Sequence, residues 1–327
     1  MQILITGAAG MIGRKLTKRL ARDGALNGQP IEKLTLLDVA LPAKPAGFKG
    51  TVDGVVADLA APGAAAKAVA HRPQTIFHLA GVVSGEAELD FDKGYHVNLD
   101  GMRALFEAIR AIGDDYRPRL VFTSSIAVFG APFPPSIPDD FHLTPLTSYG
   151  TQKAIGEALL ADYTRRGFCK GVGIRLPSVV VRPGKPNQAA SGFFSGIIRE
   201  PLAGVEAVLP VEESVVHPHA SPRSAVGFLI HAATLKQETL GPRVNLSMPG
   251  VCCTVGEQIA ALRRIAGERV AARIRHAHDP LVARIVAGWP QRIDAGRARA
   301  LGFKAESSFD EIVRIHIEED RGGTFVA

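Results

Sequence analysis

A glycine-rich turn near the amino terminus constrains the fold of this chain more than any other feature. Residues 2–6 form a short apolar run, and Gly7, Gly10 and Gly13 follow it in the pattern TGAAGMIG. The first glycine permits a sharp turn off a strand, the second permits close approach of a phosphate group, and the third permits tight packing of the next helix. The pattern therefore predicts a strand, a phosphate-binding turn and a helix, in that order.

Apolar runs typical of strands alternate with helical patterns through the first part of the chain. The strand candidates are ILIT, KLTLLDV, VDGVVADL, TIFHLAG, RLVFTSS and VGIRLPSVVV. Helical spacing lies between them, for example at about 11–23, 64–70 and 99–112. Strands separated by helices favour a parallel sheet with right-handed crossovers. We therefore predict an α/β fold in which residues 1–181 form a Rossmann-type doubly wound parallel sheet of about six strands.

The composition of the chain changes after Val181. The stretch RPGKPNQAASGF is rich in Pro, Gly, Asn and Ser, and it opens a region with isolated strands and apolar helical spacing. We expect residues 182–327 to form mainly a smaller, discontinuous substrate domain, with roughly 217–248 returning to the first domain. Closely spaced prolines favour loops that line a site in this region. They are Pro201, Pro210, Pro218 and Pro222.

Charge, hydropathy and cysteine content exclude several classes of protein. The formal net charge is +6, but basic residues are interspersed with acidic ones, so we expect no nucleic-acid partner. The first strand begins at residue 2, and no apolar run reaches the roughly eighteen residues of a membrane span. We expect a cytoplasmic protein without a membrane partner. Cys169, Cys252 and Cys253 lack the spacing of a disulfide framework or zinc site, and we expect no bound metal.

Acidic residues close the next two predicted strands after the glycine turn. Asp38 ends TLLD, and Asp58 with Leu59 ends VVADL. A carboxylate at Asp38 can accept hydrogen bonds from ribose hydroxyls and repels a ribose phosphate, which favours NAD over NADP. Asp58 and Leu59 are expected near the adenine ring. The predicted cofactor site also includes residues of the turn and the helix start, namely Thr6, Gly7, Gly10, Met11, Ile12 and Gly13.

A tyrosine and a lysine four residues apart mark a second site. Tyr149 and Lys153 in YGTQK share one face of a helix. The lysine ammonium lowers the pKa of the phenol, which makes the tyrosine a better base at neutral pH. Ser125, at the end of RLVFTSS, can donate to the same substrate oxygen. Together the three side chains favour proton transfer at a carbinol, with Tyr149, Lys153 and Ser125 as the catalytic residues.

These motifs, in this order, resemble those of the extended short-chain dehydrogenase/reductase superfamily, which includes nucleotide-sugar epimerases and dehydratases. The resemblance spans nearly the whole chain through TGAAGMIG, ADL, HLAG, VNLDG, SSIAVFG, YGTQK and RLPSVVVRPG. It implies a structural or proton-relay role for Asn98. The cofactor contacts that it implies are Leu79, Ala80, Asn98, Tyr149, Lys153, Pro177 and Ser178.

Two residues depart from the superfamily pattern. Phe129 replaces the tyrosine of SSxxVYG, which removes one hydroxyl but leaves Ser125 in place. Gly81 replaces the last residue of the usual HLAA. We expect the glycine to open room beside the nicotinamide.

Within the superfamily, SGEAELDFDKGYHVNLDG and RLPSVVVRPGKPNQAASGFFSGIIREPLAG are similar to segments of the D-erythronate dehydrogenases. This resemblance implies NAD-dependent oxidation at C2 of a four-carbon sugar acid, D-erythronate to 2-oxo-tetronate. Tyr149 would accept the hydroxyl proton, and Lys153 would tune Tyr149 and bind the nicotinamide ribose. The expected substrate contacts are Ser84, Ser125, Tyr149, Arg182, Asn187 and His219. His217 and His219 lie two apart, but no carboxylate or cysteine ligand lies near them in sequence, so we expect no metal there.

Two alternatives remain open. A nucleotide-sugar epimerase or dehydratase would share the fold but keep NAD tightly bound, and it would need basic residues for two phosphates, for which Arg199, Arg223 and Arg263 are candidates. A non-catalytic dinucleotide-binding sensor would not need the Tyr/Lys/Ser combination. As in much of the superfamily, helices near 99–112 and 154–165 are expected to form a homodimer interface.

Overall fold

The computed structural model describes residues 1–184 and 191–327, and these residues form two compact units. The first unit comprises 1–128, 145–175 and 226–246. The second comprises 129–144, 176–225 and 247–327. The predicted bounds were 1–181 and 182–327, with roughly 217–248 returning to the first domain, and these ranges differ from them. Residues 129–144 belong to the second unit, where Ile137 forms a parallel bridge to Ile293 and Asp139 forms an ion pair with Arg297 at 2.9 Å.

A seven-stranded sheet forms the centre of the first unit. In spatial order its strands are Asn245–Ser247, Lys170–Leu176, Arg119–Ser125, Thr75–His78, Gln2–Thr6, Lys33–Asp38 and Thr51–Val56. The four pairings from Arg119–Ser125 across to Thr51–Val56 are parallel. Ile3, Leu4 and Ile5 are fully buried, as expected of a parallel strand covered on both faces. The predicted doubly wound α/β sheet is confirmed, with Asn245–Ser247 as an additional edge strand.

The strand order reverses at Gln2–Thr6. The next long strand in sequence, Lys33–Asp38, pairs on one side of it, and the later strand Thr75–His78 pairs on the other. In open sheets of this kind, ligands bind beyond the carboxyl ends of the strands at such a reversal. The glycine turn that follows Thr6 therefore lies where the topology favours a ligand.

Helices connect these strands. Before residue 184 they run Met11–Asp23, Ala64–Val69, Ser84–Leu89, Phe91–Tyr95, Gly101–Ile112 and Ser148–Arg165, with a 3₁₀ turn at Ile126–Val128. Residues His96–Asp100 form a π-helical turn immediately before Gly101–Ile112. Leu105 and Ile109 lie four residues apart on one helical face, and both are buried in the core of this unit. Because π-turns are rare and frequently lie at functional sites, His96–Asp100 is a position of interest.

The second unit combines short sheets and helices. Its strands are Ser178–Val179, Ala207–Leu209, Val216–Ala220, Val251–Thr254 and Ile274–His276. In the described residues from 191 onward, the helices of both units run Gly192–Leu202, Pro222–Thr234, Gln237–Leu240, Val255–Ala266, Glu268–Ala271, Pro280–Ala287, Gly296–Ala300 and Phe309–Arg321. A core that includes Phe194, Ile198, Leu262 and Ile312 holds this unit together. Over residues 1–184 and 191–327, no helix is both long enough and apolar enough to cross a membrane.

Candidate active site

The glycine turn has the shape that its sequence predicts. Gly7 has a φ of +72°, and a Cβ there would meet the Ala80 nitrogen at 2.6 Å. A Cβ at Gly13 would collide with the Gly7 carbonyl oxygen. Gly10 is the N-cap of the helix Met11–Asp23 and has no side chain with which to cap it. The helix start therefore presents uncapped backbone amides and a positive dipole end, which fit a pyrophosphate.

Thr6 fixes the other side of the turn. Its buried hydroxyl lies 2.8 Å from His78 Nδ1 and accepts a hydrogen bond from the Ala80 nitrogen at 3.3 Å. Its carbonyl accepts from the Leu79 nitrogen at 3.1 Å. Burial and the nearby ammonium of Lys153 lower the pKa of His78 to about 3, so the ring is neutral at pH 7. Thr6 therefore fixes the backbone of Leu79 and Ala80, two predicted cofactor contacts that are partly exposed.

The predicted ribose-binding carboxylate already contacts the glycine turn. Asp38 Oδ2 accepts from the Ala9 nitrogen at 2.9 Å, and Oδ1 accepts from the Ala40 nitrogen at 3.2 Å. These bonds hold the carboxylate at the end of Lys33–Asp38, beside the turn. The binding of ribose hydroxyls by Asp38 stays a prediction.

The second strand-end carboxylate has a histidine partner that the sequence did not reveal. Asp58 Oδ2 lies 2.7 Å from His96 Nε2, and Oδ1 accepts from the Ala60 nitrogen at 2.9 Å. Partial burial raises the pKa of Asp58, but the hydrogen bonds from His96 and Ala60 outweigh it, and the net shift is downward. Leu59, expected beside the adenine, is only 5% exposed and packs in the core.

The three predicted catalytic residues lie on two adjacent elements of the first unit. Tyr149 and Lys153 are one turn apart on Ser148–Arg165, and Ser125 ends the strand Arg119–Ser125. Thr147 starts the helix by accepting from the Gly150 nitrogen at 3.0 Å. Lys153 Nζ lies 5.7 Å from the centre of the Tyr149 ring. This arrangement places a cation beside the phenol, as the spacing predicts.

Lys153 is held in place by a backbone carbonyl. Its Nζ donates to the Thr123 oxygen at 3.0 Å, and the side chain is almost completely buried. Burial lowers the pKa of Lys153 to about 8, which still leaves most of it charged at pH 7. The Ser125 hydroxyl accepts from the Ala127 nitrogen at 3.2 Å and keeps its own proton to donate.

Asn98, in the π-turn, binds the backbone that follows strand Thr75–His78. Its Oδ1 accepts from the Val82 nitrogen at 2.9 Å, and its Nδ2 donates to the Val82 oxygen at 3.2 Å and to Gln152 Oε1 at 2.7 Å. Both amide hydrogens are therefore used, which favours a structural role for Asn98. A Cβ at Gly81 would lie 2.8 Å from Asn98 Oδ1 and 3.5 Å from Lys153 Nζ. Glycine is thus needed for this close approach.

Several predicted cofactor and substrate residues belong to the second unit or lie outside the described residues. Ser84 begins the helix Ser84–Leu89 in the first unit, whereas Pro177, Ser178 and Arg182 belong to the second unit. Arg182 Nε donates to the Val179 oxygen at 3.0 Å, and Nη2 donates to the Ser191 hydroxyl at 2.8 Å. These bonds anchor the Arg182 guanidinium. Asn187 lies outside the described residues.

The paired histidines of the second unit are buried. His219 is fully buried, with Nε2 at 2.7 Å from Gln258 Nε2, and Phe309 packs edge-on to its ring. His217 Nε2 lies 2.8 Å from the Ser178 hydroxyl. His219 could contact a substrate only if its ring became accessible to solvent. In the described parts of the chain, no group of three or more His, Cys, Asp or Glu side chains could hold a metal ion.

Comparison with known proteins identifies the family of this chain. Residues 3–220 match the NAD dependent epimerase/dehydratase family. The D-erythronate dehydrogenase of Cupriavidus necator is 48% identical over 98% of this chain and 98% of its own length. The D-erythronate dehydrogenase of Haemophilus influenzae is 39% identical over 98% of this chain and 100% of its own length.

A solved structure is also similar over nearly the whole chain. The crystal structure of the nucleoside-diphosphate-sugar epimerase from Agrobacterium tumefaciens is 65% identical, with a TM-score of 0.97, and the match covers 99% of this chain and 95% of that one. The predicted superfamily and the predicted NAD cofactor are confirmed. The chain belongs to the NAD dependent epimerase/dehydratase family, within the extended short-chain dehydrogenases.

Proposed function

We propose that this chain is an NAD-dependent dehydrogenase that oxidises the C2 hydroxyl of D-erythronate to give 2-oxo-tetronate. The observation that carries the proposal is the buried Lys153 ammonium, fixed at the Thr123 carbonyl beside the Tyr149 ring. Two D-erythronate dehydrogenases match the chain over nearly its full length, which supports a four-carbon sugar acid as the substrate.

The residues of the site divide the reaction between them. The Lys153 charge stabilises the phenolate of Tyr149, which accepts the hydroxyl proton from the substrate. The Ser125 hydroxyl donates to the same substrate oxygen as the C2–O bond becomes a carbonyl. Bound NAD would supply the acceptor for the hydride that leaves C2.

The cofactor would be held by the features already described. The backbone amides at the start of Met11–Asp23 would bind the pyrophosphate, and Asp38 would accept from the ribose hydroxyls. Asp58 would contact the adenine amine. Pro177 and Ser178 stay predictions that the superfamily resemblance supports.

A nucleotide-sugar epimerase is the second candidate, and the name of the similar Agrobacterium tumefaciens structure favours it. Such an enzyme needs cations for two phosphates. The three arginines that the sequence offers for this task are each paired with glutamate. Arg199 pairs with Glu200 at 2.5 Å, Arg263 with Glu268 at 2.6 Å, and Arg223 with Glu318 and Glu319. Phosphate binding at any of these arginines would require that the paired glutamate be displaced.

A direct assay separates these candidates. Purified protein is mixed with NAD and D-erythronate, L-threonate or a UDP-sugar, and reduced nicotinamide is followed by its absorbance. We expect sustained turnover with D-erythronate and little with the others. No formation of reduced nicotinamide with either acid, together with interconversion of a UDP-sugar, would establish the epimerase instead. Binding of NAD without turnover of any of these compounds would favour the sensor.

We also propose that the enzyme is a homodimer. The helices Gly101–Ile112 and Ser148–Arg165, which include the segments predicted to form the interface, belong to the first unit. Light scattering of the purified protein tests this proposal. A monomeric mass would contradict it.

A further inference from the structure

A buried ion pair lies next to the end of the strand Arg119–Ser125, which carries Ser125. The Glu157 side chain is 1% exposed and that of Arg175 is 7% exposed. Arg175 Nε lies 2.9 and 3.1 Å from the two Glu157 carboxylate oxygens, and Nη2 lies 2.7 Å from Oε2. The Ser124 hydroxyl also donates to Glu157 Oε1, at 2.5 Å. Burying such a pair carries a large desolvation cost, which indicates that the pair has a specific role here.

Ser124 stands between two residues that the proposed reaction needs. Its predecessor Thr123 supplies the carbonyl that holds Lys153 Nζ, and its successor is Ser125. Successive side chains of a strand point to opposite faces, so Ser124 can be anchored on the side away from Ser125. The Ser124–Glu157 bond therefore restrains the backbone on which both catalytic contacts depend.

The helix Ser148–Arg165 is attached to this strand at two points. Lys153 reaches the Thr123 oxygen, and one turn later Glu157 accepts from the Ser124 hydroxyl. Gly156 allows the close approach, because a Cβ there would meet Phe122 Cζ at 2.9 Å. Two attachments one turn apart fix both the rotation and the axial position of a helix against a strand.

We propose that Ser124 and Glu157 are positioning residues that hold Tyr149 in register with Ser125. The inference rests on the proposed function, in which Lys153 also contacts the cofactor. Neither Ser124 nor Glu157 contacts the substrate or NAD in that reaction. Their hydrogen bond keeps the helix and the strand aligned while the Lys153 ammonium binds the nicotinamide ribose. Arg175 holds the Glu157 carboxylate through hydrogen bonds to both of its oxygens, which fixes the orientation of Glu157 toward Ser124.

Serine variants test this role kinetically. For Ser124→Ala we expect kcat with D-erythronate to fall by about tenfold, because small misplacements of reacting groups slow the chemical step. KM for NAD should stay within about twofold, since the glycine turn and Asp38 are untouched. Ser124→Thr keeps the hydroxyl and should restore most of kcat. A matched control is Ser307→Ala, which removes an exposed serine–glutamate bond of 2.6 Å and should leave kcat unchanged.

Unchanged kcat in Ser124→Ala would overturn the proposal. So would a loss of kcat that Ser124→Thr does not restore in a folded variant, because the retained hydroxyl would then not rescue the reaction. If Ser124→Ala does not fold, Ser124→Cys, of nearly the same volume and with a weak donor, replaces it with the same expectation.

A crystal structure of Ser124→Ala gives a readout that needs no substrate. We expect the Tyr149 hydroxyl to be displaced relative to Ser125 when wild-type and variant crystals are compared. An unmoved pair would refute the positioning role whatever the substrate is. Failure of the wild type to oxidise any acid would refute only the proposed function, because this structural comparison would still decide the role of Ser124.

Discussion

Lys153 and His217 are both buried titratable groups, yet their surroundings differ. In the first unit, Lys153 Nζ donates to the Thr123 carbonyl, faces the Tyr149 ring, and has its pKa lowered to about 8 by burial. In the second unit, the His217 ring stacks on Phe194 at 5.2 Å, and burial lowers its pKa to about 3. At pH 7 the lysine is charged and the histidine is neutral. Burial alone does not identify a catalytic group; a charge that persists beside a reacting group does.

Among the variants that test this comparison, a replacement of Tyr149 has the largest expected effect on activity. In Tyr149→Phe, the charged lysine has no phenol to act upon, so we expect kcat to fall by about 10²–10⁴-fold. KM for NAD should change little. Steady-state assays with D-erythronate measure both values. Tyr163→Phe, on the same helix with its hydroxyl bonded to Glu107, is the matched control and should keep kcat. Equal activity of the two variants would remove the basis of the proposed mechanism.

Lys153→Met tests whether burial of the Lys153 ammonium lowers the stability of the folded chain. The pKa of Lys153 falls from 10.5 to about 8 on folding, so the unfolded chain binds more protons than the folded chain between these values. Wild-type stability should therefore increase with pH across this window, by up to about 3 kcal/mol, relative to the variant. Urea unfolding at about pH 7 and about pH 10 measures the change. Parallel pH profiles would show that the ammonium is not disfavoured by burial.

His217→Phe makes the corresponding test in the second unit. The pKa of His217 falls from 6.5 to about 3 on folding, so its contribution lowers stability as the pH falls through 6.5. Between about pH 7 and about pH 5, the wild type should lose about 2 kcal/mol more than the variant. Thermal or urea unfolding at the two pH values checks this. An equal loss in both proteins would mean that His217 is not held neutral.

Asp38→Asn extends the comparison to a partly exposed group of the first unit and gives the smallest effect. Loss of the charge should raise KM for NAD by about tenfold and weaken discrimination against NADP, with kcat nearly unchanged. Asp53→Asn is the matched control, because Asp53 pairs with Lys33 at 2.7 Å on the neighbouring strand. A change of the same size in both variants would argue against ribose binding by Asp38.

Local signals explain why much of the fold was predictable from sequence. The strand Gln2–Thr6, the positive φ at Gly7 and the Tyr149–Lys153 spacing all depend on residues close together in the chain. The edge strand Asn245–Ser247 is only three residues long and is defined by pairing with a distant strand, so no local pattern marks it. Residues 129–144 belong to the second unit for a similar reason, because Ile137 within them pairs with the distant Ile293.

The parts of the site that the sequence did not reveal are contacts between distant residues. His96 reaches Asp58 across 38 positions, and Ser124 reaches Glu157 across 33. Neither spacing corresponds to a helical or strand repeat. His219 was expected at the substrate because it is polar and lies in a proline-rich loop region, but it belongs to a strand packed among aromatic rings. Only the packing of the whole unit determines its burial.

The most direct test of the proposed reaction uses D-erythronate carrying deuterium at C2. If the enzyme oxidises the C2 hydroxyl, the deuterium of C2 should appear in the reduced nicotinamide, one per turnover, and mass spectrometry of that product measures it. Reduced nicotinamide formed without deuterium would place the oxidation at another carbon and contradict the proposal.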